Sequence, residues 1–209
     1  MEENSQRSSD WFKVRWGRAT ASRFSDVLAV GRNGQPLASR KNYLSELVIE
    51  RLTEPPTEDN GYKSPAMEWG IVYEPVARLE YEMSTGNQIV EAFFEKHPRL
   101  EAGASPDGYV GEEGLIEIKC PNSATHLETL RTRAIPKQYM AQIQGQLWIT
   151  GRKWCDFVSY DPRFPDNAQM FIKRVNRDSK FIKELERGIN KFLKEVESEV
   201  KQVRRFTNE

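Results

Sequence analysis

Imidazole and thiol are the scarcest chemistry in this sequence. Only His97 and His126 occur, far apart and in no ligand spacing. That disfavours Ser-His-Asp hydrolases, histidine-metal nucleases and zinc deaminases, which all need imidazole in a fixed place. Cys120 and Cys155 are too few for a disulfide framework or a four-thiolate zinc site, so both are expected to be reduced and packed. No apolar run is long enough to span a bilayer, and the polar start Met1-Glu2-Glu3-Asn4-Ser5 has no signal-peptide pattern. The expectation is a cytoplasmic protein with no membrane partner. Net charge is missing too: 31 basic residues balance 31 acidic ones, so composition does not announce a nucleic-acid binder. No internal repeat or low-complexity segment appears. Carboxylates and lysines must carry any chemistry.

What is present is 209 residues, 38% apolar and 30% charged, a length that favours one domain over 1–209 with a sizeable core. Residues 1–9 are polar and expected to fray. Eight Lys or Arg lie within the first 45 residues against four acids, a surplus that could form a phosphate-facing patch or simply a solvated face.

Aromatics and arginines alternate from Trp11 to Phe24, ahead of a short helix that Thr20 could cap. Its free N–H groups, with Ser22 and Arg15, could hold a phosphate; the plain alternative is core tryptophans and solvated arginines. Gly31–Pro36 form a loop. Ser39 can cap a helix to about Leu52 with Tyr43, Leu44, Leu47 and Val48 buried, and 54–61 read as a linker-like loop.

A second helix starts after Ser64 and ends near Thr85, with Gly86 just beyond. Trp69, Val72, Val76, Leu79 and Met83 form its main apolar stripe. Gly70 and Glu74 lie opposite, near Ala77 and Tyr81, so Glu74 is solvated unless this second face is also covered. Pro75 should kink the helix. Gln88–Glu95 reads as a strand, and Leu100–Ala104 leads into a hairpin. Ser123 can cap a helix to about Arg131, and Pro136 opens another that Gly151 closes. Lys153–Tyr160 and Gln169–Val175 read as strands. A long amphipathic helix at about 178–205 ends the chain.

The stretch Ser105-Pro106-Asp107-Gly108 to Glu117-Ile118-Lys119-Cys120-Pro121 organises the rest. Alternation puts Glu117 and Lys119 on one face and Ile116 and Ile118 on the other. With a three-residue loop Gly111-Glu112-Glu113, Val110 pairs with Gly114 and Asp107 falls opposite Glu117. Opposed carboxylates with Cβ atoms about 5 Å apart repel one another and call for a cation; hard oxygen ligands suit Mg²⁺. Lys119 would set a positive charge beside a metal-bound water or a phosphate oxygen. A plain exposed hairpin is the alternative. On the helix after Pro136, Tyr139, Gln142 and Gln146 share an edge; this is an ordinary flank, or Gln142 hydrogen-bonds a water or phosphate oxygen beside the hairpin.

Four stretches in order now resemble the lambda exonuclease family, the YqaJ-like viral recombination exonucleases of the PD-(D/E)xK superfamily. They are Trp11-x-x-x-Arg15-x-Gly17-x-x-Thr20-Ala21-Ser22, Trp69-Gly70-x-x-Tyr73-Glu74, the hairpin, and Tyr139-Met140-Ala141-Gln142-x-Gln144; Tyr160-Asp161-Pro162-Arg163 extends the match. The resemblance implies an α/β fold with a restriction endonuclease-like core, a mixed central sheet flanked by helices. It implies that Asp107, Glu117 and the Ile118 carbonyl hold one or two Mg²⁺ ions, with Mn²⁺ an open alternative. Glu74 would support the acidic cluster, Lys119 would be the catalytic lysine, and Gln142 would assist at the water or scissile phosphate. Arg15, Ser22 and Ser105 would hold the 5′-phosphate of a double-stranded DNA end. The implied activity is processive 5′ to 3′ digestion by a homotrimer, releasing 5′-mononucleotides and leaving 3′ single strands for an annealing protein. The implied setting is the cytoplasm of a bacterial host carrying a phage or prophage. An endonuclease of the restriction or repair type is the rival within the superfamily.

Overall fold

A computed structural model describes residues 9–55 and 64–206. The expected fraying of 1–9 falls outside these residues except at Ser9, as does most of the linker-like loop at 54–61.

The helices are α1 (Ser9–Arg15), α2 (Phe24–Val27), α3 (Ala38–Leu52), α4 (Pro65–Thr85), α5 (Ser123–Thr132), α6 (Met140–Thr150) and α7 (Ser179–Phe206). The strands are β1 (Ala19–Thr20), β2 (Ile89–Val90), β3 (Glu95–Lys96), β4 (Ala102–Ala104), β5 (Gly108–Val110), β6 (Gly114–Lys119), β7 (Trp154–Tyr160) and β8 (Met170–Asn176). They form a five-stranded sheet in the order β2-β5-β6-β7-β8 and a three-stranded one in the order β1-β4-β3. Each is mixed: β6 and β7 pair in parallel, as do β1 and β4, while the remaining pairs are antiparallel. A parallel pair needs a long crossover, and α5 and α6 supply it between β6 and β7.

Strand alternation sends the two faces of the large sheet to different helices. Val110, Ile116, Ile118, Val158 and Tyr160 pack with Ala77 and Tyr81 of α4. Leu115, Cys155, Phe157 and Val175 pack with Ile143 and Leu147 of α6. Both thiols are free, that of Cys155 fully buried. A third cluster joins Phe24, Tyr43 and Leu47 to Leu185, Ile189, Phe192 and Val196 of α7, closing β4 and the N-terminal elements over the rest.

The structure corrects several expectations. On α4 the buried face is that of Ala77 and Tyr81, while Val72, Leu79 and Met83 are 61%, 56% and 72% exposed. Pro75 sits inside α4, which continues on both sides of it. Ser64 does cap α4, accepting from the Met67 N–H at 3.3 Å, and Gly86 ends it at φ 70°. Ser39 lies inside α3, whose N-cap is Leu37 with no side-chain bond, and Thr20 makes no capping bond either. Asn122 caps α5 by accepting from the Thr125 N–H at 2.9 Å, leaving the Ser123 hydroxyl to donate to Asp161 at 2.8 Å. Gln88–Glu95 is not one strand: β2 joins the large sheet and β3 the small one, so the chain changes sheets between them. Lys137–Tyr139 form a 3₁₀ turn ahead of α6.

Candidate active site

The hairpin takes the register expected for the three-residue loop Gly111-Glu112-Glu113. Val110 pairs with Gly114, Tyr109 with Leu115 and Gly108 with Ile116, so the next position outward sets Asp107 against Glu117. Gly111 enters the turn at φ 56°, a left-handed conformation that a side chain would oppose. Beyond the last pair, Asp107 Oδ2 accepts from the Ile118 N–H at 2.6 Å and ties the strand ends together.

Glu117 is fully buried between β6 and α6. Its Oε1 accepts from Gln142 Nε2 at 2.6 Å and meets Lys119 Nζ at 2.5 Å. Its Oε2 accepts from Gln146 Nε2 at 2.6 Å. The position of α6 explains this: residues at i and i+4 lie one above the other on the helix edge that faces β6.

In front of Glu117 opens a cavity of about 400 Å³ lined by Glu74, Asp107, Ile118, Lys119, Cys120 and Tyr139, among others. Gly70 also lines it; a Cβ there would meet nothing within 4 Å, so the glycine leaves open space one turn before Glu74. Arg78 reaches from the same helix to Glu74 Oε1 at 3.4 Å and donates to the Asp107 carbonyl. Lys119 Nζ stands 5.2 Å from the centroid of the Tyr139 ring.

Electrostatics mark this as an anion-rich pocket. Burial pushes the Asp107 carboxyl well above its usual range, and the charge of Glu117 adds to that. Burial would lower Lys119, but the charges of Glu117 and Asp107 outweigh it and raise the ammonium above its normal value. The direction of that shift favours the ammonium form, which can stabilise negative charge nearby. Burial, with the Glu74 and Asp107 charges, pushes the Cys120 thiol up to about 12.

Asp107 and Glu117 fit a hard divalent cation: they are carboxylates on opposed strands, Glu117 fully buried and Asp107 raised in pKa by burial and then by the charge of Glu117. Among the described residues no three carboxylate, imidazole or thiol groups form a ready-made cage. Mg²⁺ does not need one, because it is commonly held by one or two carboxylates, with waters and substrate phosphate completing its shell. In this structure Lys119 is the counter-charge at Glu117 Oε1.

A second site abuts the first. Arg15 Nη1 donates to Ser105 Oγ at 3.0 Å and Trp11 Nε1 does so at 3.1 Å, with the Arg15 guanidinium 4.0 Å over the Trp11 ring. Burial lowers the Arg15 pKa to about 10, against the smaller opposing effects of Tyr43 and Glu50. Ser22 is exposed and its hydroxyl lies 3.3 Å from Thr20 Oγ1.

The structure thus gathers Glu74, Asp107, Ile118 and Lys119 around one cavity, with Glu117 and Gln142 directly behind it. Arg15 and Ser105 meet through a hydrogen bond two residues before Asp107, and among the described residues Ser22 makes no hydrogen bond to either of them. Sequence reasoning passed over Arg78, although its spacing of four from Glu74 on a helix was a signal. It also left Gln146 as an ordinary flank and did not assign Trp11.

The model of the YqaJ-like viral recombinase domain matches residues 10–153, which contain this whole constellation. The chain belongs to the YqaJ-like viral recombinase family. Among proteins of curated function none matches it. Among solved structures it is similar to an alkaline exonuclease, LHK-Exo, from Laribacter hongkongensis, at 43% identity and TM-score 0.87 over 96% of this chain and 98% of that one. The same exonuclease in complex with dAMP matches with TM-score 0.89, at the same identity and coverage. A phage-related exonuclease from Haemophilus somnus 129PT shares the fold, with TM-score 0.71 at 14% identity over 89% of this chain and 96% of that one. The restriction endonuclease-like α/β core expected of the family is therefore present. No helix among the described residues is long and apolar enough to cross a membrane.

Proposed function

We propose that this protein is a Mg²⁺-dependent exonuclease that digests double-stranded DNA from its 5′ ends, releasing 5′-mononucleotides and leaving 3′ single strands for an annealing partner. The observation that carries this reading is the joining of the Arg15–Ser105 contact to the carboxylate cavity through one short stretch of chain. Ser105, held by Arg15, lies two residues before Asp107, so a phosphate resting on Arg15 brings the neighbouring linkage towards the carboxylates. The similar alkaline exonuclease has been solved in complex with dAMP, which supports nucleotide binding by this chain.

In this reading Asp107, Glu117 and the Ile118 carbonyl hold the ion, one or two per site, with Glu74 in support. When bound, Mg²⁺ supplies a water activated for in-line attack and neutralises charge on the phosphate. Lys119, as an ammonium, stabilises negative charge on the scissile phosphate oxygens. Gln142 turns its amide nitrogen to Glu117, which leaves its carbonyl oxygen able to accept a hydrogen bond from the attacking water and orient it. Arg15 and Ser105, with Ser22 nearby, bind the 5′-phosphate. Digestion is processive because a homotrimer encloses the duplex; this part rests on the resemblance alone, and the α4 stripe of Val72, Leu79 and Met83 is a surface one chain does not cover. The setting is the cytoplasm of a bacterial host.

The test is one linear duplex labelled separately at its 5′ and 3′ ends, digested with and without Mg²⁺ and with and without a 5′-phosphate. Mg²⁺-dependent release of 5′ label as mononucleotide, faster with the phosphate, is expected. Cutting of closed circles would point to an endonuclease instead. A monomeric mass by light scattering would refute the trimer.

A further inference from the structure

We infer that Gln146 is a positioning residue that sets the orientation of Glu117 for cation binding, a role that rests on the metal reading above. The helix α6 carries Gln142, Gln144 and Gln146 at two-residue steps, and their surroundings differ sharply. Gln144 is 1% exposed and satisfied at both ends of its amide, donating to the Asn176 carbonyl at 2.9 Å and accepting from the Asp178 N–H at 2.9 Å. It latches α6 to the connection between β8 and α7. Gln146 is wholly buried, yet only one end of its amide has a partner: Nε2 donates to Glu117 Oε2 at 2.6 Å, and Oε1 is without one among the described residues.

That one-sidedness follows from chemistry. A carboxylate can only accept, so the amide must turn its NH₂ to Glu117 and strand its own oxygen where solvent does not reach. A stranded buried acceptor is destabilising, and a leucine or methionine of similar volume would fill the space without it. Packing alone therefore does not account for a glutamine here; the bond to Glu117 does. Gln142 and Gln146, four residues apart, grip the two oxygens of one carboxylate and so hold its plane. The two grips differ in kind. Oε1 is shared with Lys119, which lines the cavity and can yield to an incoming cation. Oε2 is anchored from the buried side. Partners of this kind behind a metal-binding carboxylate typically change metal affinity or activity by roughly 10- to 100-fold when removed.

The experiment titrates Mn²⁺ into the full-length protein without DNA, reading free Mn²⁺ by electron paramagnetic resonance, and records the melting temperature of each variant. Gln146→Leu and the unbranched Gln146→Met are expected to weaken Mn²⁺ binding by about 10- to 100-fold with a melting temperature equal to or above that of the unaltered protein. Gln144→Leu is expected to melt earlier and to bind Mn²⁺ within about two-fold of the unaltered protein, because its amide serves the backbone. Unchanged binding in both Gln146 variants overturns this role alone and leaves the metal reading standing. Equal weakening in Gln144→Leu, or unfolding of both Gln146 variants, overturns it by showing a general structural effect. Absence of any Mn²⁺ site in the unaltered protein removes the metal reading and this role together.

Discussion

Arg163 lays its guanidinium 4.1 Å from the centroid of the Trp69 ring while donating to the two oxygens of Asp161 at 2.7 and 2.8 Å. One side chain thus clamps the start of α4, which carries Glu74, to the end of β7. Burial by itself would raise the Asp161 pKa, but the bonds from Arg163 and Ser123 outweigh it and hold the carboxyl below its usual range. A depressed carboxylate contributes stability that is complete above its unfolded value of about 3.9 and is lost as pH falls through the lower folded value. Asp161→Asn should therefore lower the urea midpoint at pH 7, and the difference should close as pH drops below about 4. A difference of constant size down to pH 3 would contradict this.

Two members of the acidic site should respond to mutation with opposite stability and equal loss of activity. Asp107→Asn removes a desolvated charge next to Glu117 and keeps an acceptor for the Ile118 N–H, so the melting temperature at pH 7 should not fall. Lys119→Met leaves Glu117 buried without its counter-charge and should cost roughly 3 kcal/mol of stability. Both should reduce DNA hydrolysis by more than about 10²-fold, the range for losing one electrostatic element of a transition state. Calorimetry of each variant checks the signs; a stabilised Lys119→Met would refute the pairing.

The Arg15 pocket should decide which ends are chosen rather than how fast bonds break. Arg15→Met removes one charge-assisted contact, so the preference for 5′-phosphorylated over 5′-hydroxyl duplex should shrink by about 10-fold or more. Initial rates on the two substrates measure it. A preference that survives intact would mean that the phosphate rests elsewhere.

Gly108 carries a steric demand beside Asp107. A Cβ there would sit 2.3 Å from Ile89 Cγ2 and 3.1 Å from the Val90 carbonyl oxygen. The methyl can move only if β2 shifts, so Gly108→Ala should destabilise by about 1–3 kcal/mol. Denaturant unfolding tests this; a neutral effect would show β2 to be loosely held.

The hairpin was legible in the sequence because period-two alternation assigns its faces and its glycines mark the turn, whereas its register hung on the length of the loop, which the pairing of Val110 with Gly114 supplies. The two faces of α4 were not. Periodicity reports that a helix has an apolar stripe, not which face a neighbour covers, and here Glu74, Ala77 and Tyr81 point to the sheet and cavity while Val72 and Leu79 face outward. The cap of α5 was misplaced by one residue because Asn122 and Ser123 are both able acceptors; only the distant Asp161 shows that the serine is already engaged. Gln146 read as a flank for the same reason, since its partner lies 29 residues away on another element.

The contact of Arg15 with Ser105 spans 90 residues of chain, whereas the hairpin closes on a loop of three. Short closures are entropically easier and form early, while long ones wait until much of the chain is in place. During folding the strands that bear Asp107 and Glu117 can therefore pair before the terminal arginine arrives. The contact of Arg15 with Ser105 is built last, onto a hairpin whose strands already stand.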